Sequence, residues 1–424
     1  MNRIDFILAA YLVILALLSS PLQARDAFVV DGSTTDTLQP VQVKAGDSDL
    51  INLVQQAIEA TGPFQPLENR ASTSVLDYGG ASNAMRFDIN TAGTQAILNI
   101  PVIKFQRTFT AANRDGLYNQ IKNFLQNEGR DVYKRFLEAM NRQSTVAVSD
   151  GNPNSTTALV AKTAFEDAGF GGEDTITKAL DIENINFSLL ASVGQFSSRD
   201  FDGHSYTLPL GYSFKVTDRV QTKLRMPLSY WEVGGAGIYN GSFMVNVPVK
   251  VLLPSAGPAK DEAGRDWLSP LTWTVTPTLG LAGGGSQDYR AGSVMYVTGL
   301  GSMLNYDFGR FGLTLGNQLS AMKGLSNHVG DYDIGDKVDQ RILKNGLKVT
   351  VPFDHRWVGE VYGIHTAFLK DAAVDNYFTL GAQGGMRLFG DASGEGGVAL
   401  LGIYGDVGDH YRSFSMRLGT GFRF

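Results

Sequence analysis

From about residue 183 to the end of the chain, apolar and polar residues alternate with a period of two. In the run SYTLPLGYSFKV at 205–216, nearly every second residue is apolar. Successive side chains of a β-strand point to opposite faces of the sheet, so this pattern predicts strands with one apolar and one polar face. The runs extend over roughly 10–14 residues, longer than the ~5–6 residues usual in a soluble β-sandwich.

Twelve such runs are predicted, at 185–196, 205–216, 219–232, 238–253, 268–282, 293–306, 311–321, 338–351, 357–369, 377–389, 397–405 and 411–424. Short links tend to follow the even-numbered runs and longer polar links the odd-numbered ones, although the link at 254–267 is long. Transmembrane barrels have short periplasmic turns and longer external loops. The pattern therefore predicts an all-β, transmembrane, antiparallel up-and-down barrel of about twelve strands at 183–424.

Aromatic residues add a second argument for a membrane barrel, because aromatic girdles mark both membrane surfaces in such proteins. We expect the aromatic residues near strand ends to form these girdles. They are Tyr206, Tyr212, Tyr230, Trp231, Tyr239, Trp267, Trp273, Tyr296, Tyr306, Trp357, Tyr377 and Tyr404.

The chain before the alternating region predicts a small α+β domain at 25–143. A helix begins after Asp47 and Ser48 and stops at Gly62 and Pro63. A turn around Gly93 joins two strand-like pieces into a hairpin, and 113–142 is helical with a break at Gly129. The segment 144–182 is expected to be a linker or a plug, with a short helix at 156–168.

The first 24 residues have the pattern of a secretory signal peptide. Arg3 precedes an apolar run at 6–18, and small residues follow it. A helix of 13 residues spans only about 20 Å, less than the ~30 Å hydrocarbon core of a bilayer. We therefore expect cleavage after residue 24 rather than a membrane anchor.

The amino-acid composition excludes cysteine chemistry and argues against one class of partner. The chain has no cysteine, which excludes disulfides, thiolate metal ligands and cysteine nucleophiles within it. Its net charge of -6 argues against a nucleic-acid partner, because such binding requires clustered Lys and Arg.

The last strand, YRSFSMRLGTGFRF, carries the most specific motif in the chain. It resembles the closing strand of Gram-negative outer-membrane barrels, whose alternating hydrophobic residues and terminal Phe are read by the barrel-insertion machinery. The residues matching that signal are Arg417, Gly419, Phe422 and Phe424. The resemblance implies insertion into the outer membrane, with the lipid and the insertion machinery as partners.

Among twelve-stranded barrels, the chain resembles the translocator units of autotransporters and the pores that secrete amyloid subunits. Both place an N-terminal segment before the barrel. Residues 25–182 depart from common autotransporters because they lack the repetitive strands of a β-helical passenger.

The faces opposite the apolar stripes carry basic residues. A charge pointing into lipid costs ~2–4 kcal/mol at the bilayer midplane, so these side chains should line the lumen or lie at a rim. The predicted lumen-lining residues are Lys215, Lys223, Arg225, Lys250, Lys344, Lys348, Arg387 and Arg417, with Arg423 in the same pattern.

Two interpretations of these basic residues remain open. A net-positive lumen would prefer anionic solutes or conduct an acidic polypeptide. Alternatively, acidic residues of a plug neutralise the basic side chains; those available are Asp150, Glu166, Asp167, Glu173 and Asp174.

Catalysis is not expected. The five histidines lie mostly in predicted loops and do not assemble a base, nucleophile and oxyanion site, and the Asp-rich loop 331–336 lacks the later bidentate Glu of a calcium loop. No metal or cofactor is expected. The leading hypothesis is an outer-membrane channel or translocator with a periplasmic N-terminal domain that gates the lumen or presents cargo. The alternatives are an autotransporter-like anchor that displays 25–182 as a binding or adhesive module, and an outer-membrane enzyme.

Overall fold

The computed structural model describes residues 26–35, 40–47, 49–171, 187–199, 201–251, 271–325, 338–390 and 396–423. The predicted signal peptide, the Asp-rich loop, Trp267, His328, Glu173, Asp174 and Phe424 lie outside these residues. Within them, no helix combines the length and the apolar character that a membrane-crossing helix needs.

The N-terminal domain is built on an antiparallel sheet with the strand order β2-β1-β3-β4-β5-β6. The strands are β1 (Phe28–Thr34), β2 (Gln42–Asp47), β3 (Ser72–Tyr78), β4 (Ala81–Ile89), β5 (Gln95–Ile100) and β6 (Phe105–Thr110). The predicted hairpin is confirmed, since β4 and β5 pair around the turn that contains Gly93.

Three helices accompany this sheet: α1 (Leu50–Glu59), α2 (Arg114–Asn123) and α3 (Arg130–Gln143). The carboxylate of Asp49 caps α1 by accepting a hydrogen bond from the Ile51 N–H at 2.8 Å. A π-turn at 124–128 separates α2 from α3 and ends at Gly129, as the predicted break requires. A Cβ on Gly129 would collide with the ring of Phe124, so a larger residue does not fit there.

The second sheet is a closed antiparallel barrel of twelve strands, as predicted. Its strands are β7 (Phe187–Ser198), β8 (Phe201–Lys215), β9 (Gln221–Val233), β10 (Ala236–Asn246) continued by β11 (Val249–Val251), β12 (Leu271–Ser286), β13 (Ala291–Asp307), β14 (Gly312–Leu325), β15 (Asp339–Pro352), β16 (Trp357–Phe368), β17 (Asn376–Gly390), β18 (Gly396–Gly408) and β19 (Tyr411–Arg423). The last strand pairs with the first, which closes the barrel. Pro248 separates β10 from β11 because proline has no N–H to donate to the ladder.

The outward face of the barrel is apolar and bounded by aromatic residues. Leu279, Leu300 and Leu380 are more than half exposed on it. Tyr296 and Tyr306 lie ten residues apart on the outer face of β13. At about 3.3 Å per residue and a strand tilt near 40°, that separation covers about 25 Å along the barrel axis, the height of the apolar band in outer-membrane barrels.

Not all of the predicted girdle residues face outward. Trp231, Tyr377 and Tyr404 point into the barrel and are 2%, 4% and 7% exposed. The prediction was wrong for these three because they occupy the inward register of their strands. Whether a residue near a strand end faces the lipid or the lumen depends on its register in the strand.

The predicted asymmetry of the links was also wrong. Two-residue turns join β7 to β8, β9 to β10 and β18 to β19, all on the side where long loops were expected. The strands extend further than the apolar alternation suggested. Phe201 at the start of β8 is only 1% exposed, and its ring contacts the position of Gly80 in the N-terminal domain.

The N-terminal domain packs on this same end of the barrel. The Ala27 N–H donates to the Gly234 carbonyl at 3.2 Å, and the Tyr78 hydroxyl donates to the Tyr289 carbonyl at 3.0 Å. The Tyr289 ring meets that of Phe28 edge to face, with centroids 4.9 Å apart. Burial raises the pKa of Tyr289 well above its usual range.

The two sheets share one hydrophobic core at this contact. Barrel residues in that core include Phe196, Phe201, Trp231, Val233, Tyr289 and Tyr411. The domain therefore covers the side chains at this end of the barrel, and the shared core holds it on the barrel mouth.

Candidate functional site in the barrel lumen

The chain between the two sheets enters the barrel as a helix, α4 (Thr156–Phe165), followed by a π-turn at 166–170. The Ser155 hydroxyl caps the helix by accepting from the Ala158 N–H at 3.4 Å. Eight of the ten helical residues are buried, on all sides of the helix. A helix buried all round must be enclosed by other elements, and here the enclosing element is the inner wall of the barrel. We call residues 149–171 the lumen segment.

At the barrel mouth, the lumen segment is held by hydrogen bonds. The Thr156 hydroxyl and the Asn240 side-chain amide lie 2.7 Å apart. The Asp150 carboxylate accepts from the Thr157 hydroxyl at 2.7 Å and from the Gln340 amide at 3.1 Å. Asp150 precedes the membrane-spanning strands, and burial raises its pKa to about 6 against the lowering effect of these hydrogen bonds.

Deeper in the lumen, Asp167 is bonded to three side chains of the barrel wall. Its carboxylate accepts from the Arg225 guanidinium at 2.5 Å and from the Asn246 amide at 2.7 Å. The Lys223 ammonium donates to its backbone carbonyl at 2.9 Å. Asp167 is 1% exposed and Arg225 8%, so the pair is almost entirely removed from water.

A second buried ion pair joins Glu166 to Arg417 of the last strand at 2.5 Å. One turn earlier, the Lys162 ammonium donates to the Tyr404 hydroxyl at 2.8 Å. Adjacent residues of the segment, Glu166 and Asp167, thus bind strands that lie three apart in the barrel wall, since Arg417 lies on β19 and Arg225 on β9.

The end of the segment is anchored by aromatic packing and by a fourth basic side chain of the wall, Lys348. Phe165 stacks on Phe170 with ring centroids 4.6 Å apart. The Lys348 ammonium donates to the Phe170 carbonyl at 2.9 Å and lies 3.6 Å from the Glu360 carboxylate.

Glycines on the inner wall make room for these rings. A Cβ on Gly346 would lie 2.6–2.9 Å from atoms of Phe165 and Phe170, and one on Gly316 would lie 2.8 Å from Phe170. A Cβ on Gly301 would lie 2.7 Å from the Cβ of Ala168. Real Cβ atoms do not approach so closely, so the wall is recessed where the segment packs.

Replacing Gly346 with alanine should therefore destabilise the folded chain by about 1–3 kcal/mol, the usual cost of overpacking. Denaturant unfolding in detergent would measure the change. Gly384→Ala is the matched control, because Gly384 is exposed on the outer face and its Cβ would find its nearest atom at 3.8 Å. Equal stabilities for the two variants would show that the rings do not occupy this recess.

All eight predicted lumen-lining residues lie on the inward register of their strands. Five of them are buried and bond to the lumen segment or to the wall: Lys223, Arg225, Lys344, Lys348 and Arg417. Lys215 and Lys250 are exposed at the barrel end away from the N-terminal domain, where Lys215 pairs with Asp218 at 2.7 Å. Arg387 is half-buried near the same end.

The residues matching the insertion signal divide between the two faces of β19. Phe422 lies on the outward register, with its ring 6.4 Å from that of Phe389. Gly419 and Arg417 face inward. Arg417 therefore contacts the lumen segment in addition to the assembly role that the resemblance implies.

Sequence reasoning did not identify the wall residues that contact the lumen segment. The inner-wall glycines and the amides Asn240, Asn246 and Gln340 carry no motif that distinguishes them from other glycines and amides of the barrel. Their inward register was available from the alternation, but their contacts depend on where the lumen segment lies. Within the described residues, no three His, Asp or Glu side chains lie close enough to hold a metal ion.

Comparison with solved structures finds similarity to outer-membrane channels and autotransporter translocators. No protein family and no curated protein matches the chain. Matching solved structures include the translocator domain of the autotransporter NalP from Neisseria meningitidis, at 15% identity over 62% of this chain and 98% of that one with a TM-score of 0.37. The β domain of the Bordetella autotransporter BrkA matches at 10% identity, 57% and 100% coverage and a TM-score of 0.37.

An outer-membrane channel from Pseudomonas putida F1 also matches, at 12% identity, 57% and 96% coverage and a TM-score of 0.36. These three solved proteins are translocator units or channels. TM-scores below 0.5 carry no conclusion about function, so the fold assignment rests on the strand pairing described above.

Proposed function

We propose that this chain is an outer-membrane barrel that anchors its own N-terminal domain through its lumen. The domain lies on the side of the membrane opposite the side where the first barrel strand begins and the last barrel strand ends. The observation that carries the proposal is the course of the chain: the domain packs on one barrel end, the lumen segment passes inside, and the first barrel strand begins at the other end.

The topology follows from the strand directions. An antiparallel barrel with an even number of strands starts and ends on one side, here the side of Phe187 and Arg423. The domain contacts the link between β9 and β10 at Gly234 and the link between β12 and β13 at Tyr289. Those links lie on the opposite side.

The predicted secretion signal and the closing strand support placement in the outer membrane of a Gram-negative bacterium. The resemblance of the last strand supports a periplasmic position for the start of the first barrel strand and the end of the last one, and in this proposal the domain faces outward. This supports the autotransporter-like anchor over a periplasmic gating domain. The exposed domain would then act as a binding or adhesive module, and catalysis is not part of the proposal.

A gated channel is the second candidate. It is favoured by one observation: the lumen segment neutralises buried basic side chains, including Arg225 and Arg417, that would line an open pore. In that case, displacement of the segment opens a path for anionic solutes or an acidic polypeptide.

Single cysteines test the proposed orientation cleanly because the chain has none of its own. Gln106→Cys places a thiol on the exposed edge strand β6 of the domain, and His355→Cys places one in the exposed turn between β15 and β16. We expect a membrane-impermeant maleimide to label Gln106→Cys on intact cells and His355→Cys only after the outer membrane is permeabilised.

The reverse labelling pattern would place the domain in the periplasm and support the gating hypothesis instead. Labelling of both variants on intact cells would show that the reagent had crossed the membrane. A cysteine at a periplasmic position of another protein is the integrity control, because its labelling on intact cells reports passage of the reagent through the outer membrane.

A further inference from the structure

A cavity of about 70 Å³ lies between α4 and the inner wall of the barrel. A water molecule needs roughly 10–15 Å³ of such space, so the cavity holds about five waters or one small ion with its hydration. It is lined mainly by hydroxyl-bearing side chains and by charged groups from both the helix and the wall.

Two ammonium groups line this cavity without a carboxylate partner. Lys344, 3% exposed, donates to the Thr366 hydroxyl at 2.7 Å and lies 3.5 Å from the Tyr377 hydroxyl. Lys162 donates to the Tyr404 hydroxyl. Neither lysine forms an ion pair in the part of the chain that the structure describes. Burying a charge without a counter-charge is costly, so such groups normally have a partner.

The carboxylates that line the cavity are engaged elsewhere. Glu166 is paired with Arg417. The Asp406 carboxylate accepts hydrogen bonds from the Thr379 and Ser413 hydroxyls, both at 2.6 Å. Three basic and two acidic side chains line the cavity, so basic side chains exceed acidic ones by one.

We propose that the cavity binds a small monovalent anion, a halide or a small carboxylate, between Lys344 and Lys162. One anion matches the excess basic group of the lining, and a cavity with room for about five waters does not admit an anion as large as gluconate. Tyrosine and threonine hydroxyls supply further donors. The site stands on this geometry and does not depend on which side of the membrane the N-terminal domain occupies.

The test is the unfolding temperature of the full chain in detergent as bromide replaces gluconate at constant ionic strength. Gluconate is too large for the cavity and serves as the reference anion. We expect the unfolding temperature to rise with bromide and to saturate, as a ligand of the folded state requires. A parallel acetate titration distinguishes a carboxylate ligand from a halide. Lys344→Met should abolish the dependence, and Lys250→Met, which removes an exposed lysine, should keep it.

A flat response of the unaltered chain to both anions would overturn the proposal, and so would a saturable response that survives in Lys344→Met. If Lys344→Met does not fold, crystals of the unaltered chain in bromide decide the question. An anomalous peak beside Lys344 supports the site, and its absence at high bromide refutes it.

Discussion

Truncation to residues 183–424 should turn a non-conducting protein into an anion-preferring pore in planar lipid bilayers. In the full mature chain, the lumen segment fills the barrel, and the N-terminal domain covers one mouth. The truncation removes both. Single-channel recording of the two proteins under the same conditions measures the difference.

The preference for anions follows from the side chains that lose their partners. Without the lumen segment, Arg225 and Arg417 no longer meet Asp167 and Glu166. The fixed charges inside the barrel then become more positive, which attracts anions. A silent truncation would mean that the wall side chains close the lumen by themselves, and cation preference would contradict the charge assignment.

Replacing Asp167 with asparagine should destabilise the folded chain by about 3–5 kcal/mol, because it leaves the buried Arg225 guanidinium without its counter-charge. The side chain keeps its size, so packing changes little. Denaturant unfolding in detergent measures the loss, and brief channel openings of the full-length variant are expected as the lumen segment loosens.

Asp218→Asn is the matched control, since Asp218 pairs with Lys215 at the exposed barrel end. Exposed ion pairs contribute about 0–1 kcal/mol, so this variant should be close to the unaltered chain. Combining Asp167→Leu with Arg225→Met should recover much of the lost stability, because an apolar replacement of both partners leaves no unpaired charge. Equal effects of Asp167→Asn and Asp218→Asn would show that the Asp167 pair is not buried.

The barrel could be predicted from sequence because each strand carries its own signal. Alternation along one run fixes the two faces of that strand, and twelve runs with a closing strand fix the barrel. The inward register of residues such as Lys223 and Lys348 follows from the same counting. These features are local, so a single sequence contains them.

The occupation of the lumen could not be predicted in the same way. The acidic residues 166 and 167 were recognised as candidates to neutralise a basic lumen, but an open pore remained equally consistent with the sequence. Whether the lumen is open or filled depends on how the segment fits the wall. Gly316 and Gly346 leave room for the rings of Phe165 and Phe170, and no local sequence pattern pairs residues so distant in the chain. The position of the N-terminal domain on the barrel is non-local for the same reason.

A disulfide between the lumen segment and the wall tests most directly whether the chain passes through its own barrel. Gly169→Cys combined with Met303→Cys is the pair of choice, because a Cβ on Gly169 would lie 3.9 Å from the Cβ of Met303 on the inner wall, within the range of about 3.5–4.5 Å for a disulfide, and the chain has no other cysteine. A protease site inserted at 254–267 separates the two cysteines in sequence, so cleaved fragments stay joined only through the disulfide.

In cells, where the periplasm is oxidising, we predict that the cleaved fragments of Gly169→Cys/Met303→Cys remain joined until a reductant is added. Gly169→Cys with Leu300→Cys, whose side chain faces outward and is 57% exposed, should give separate fragments. Separate fragments from both pairs would contradict the account, because residue 169 would then lie outside the lumen.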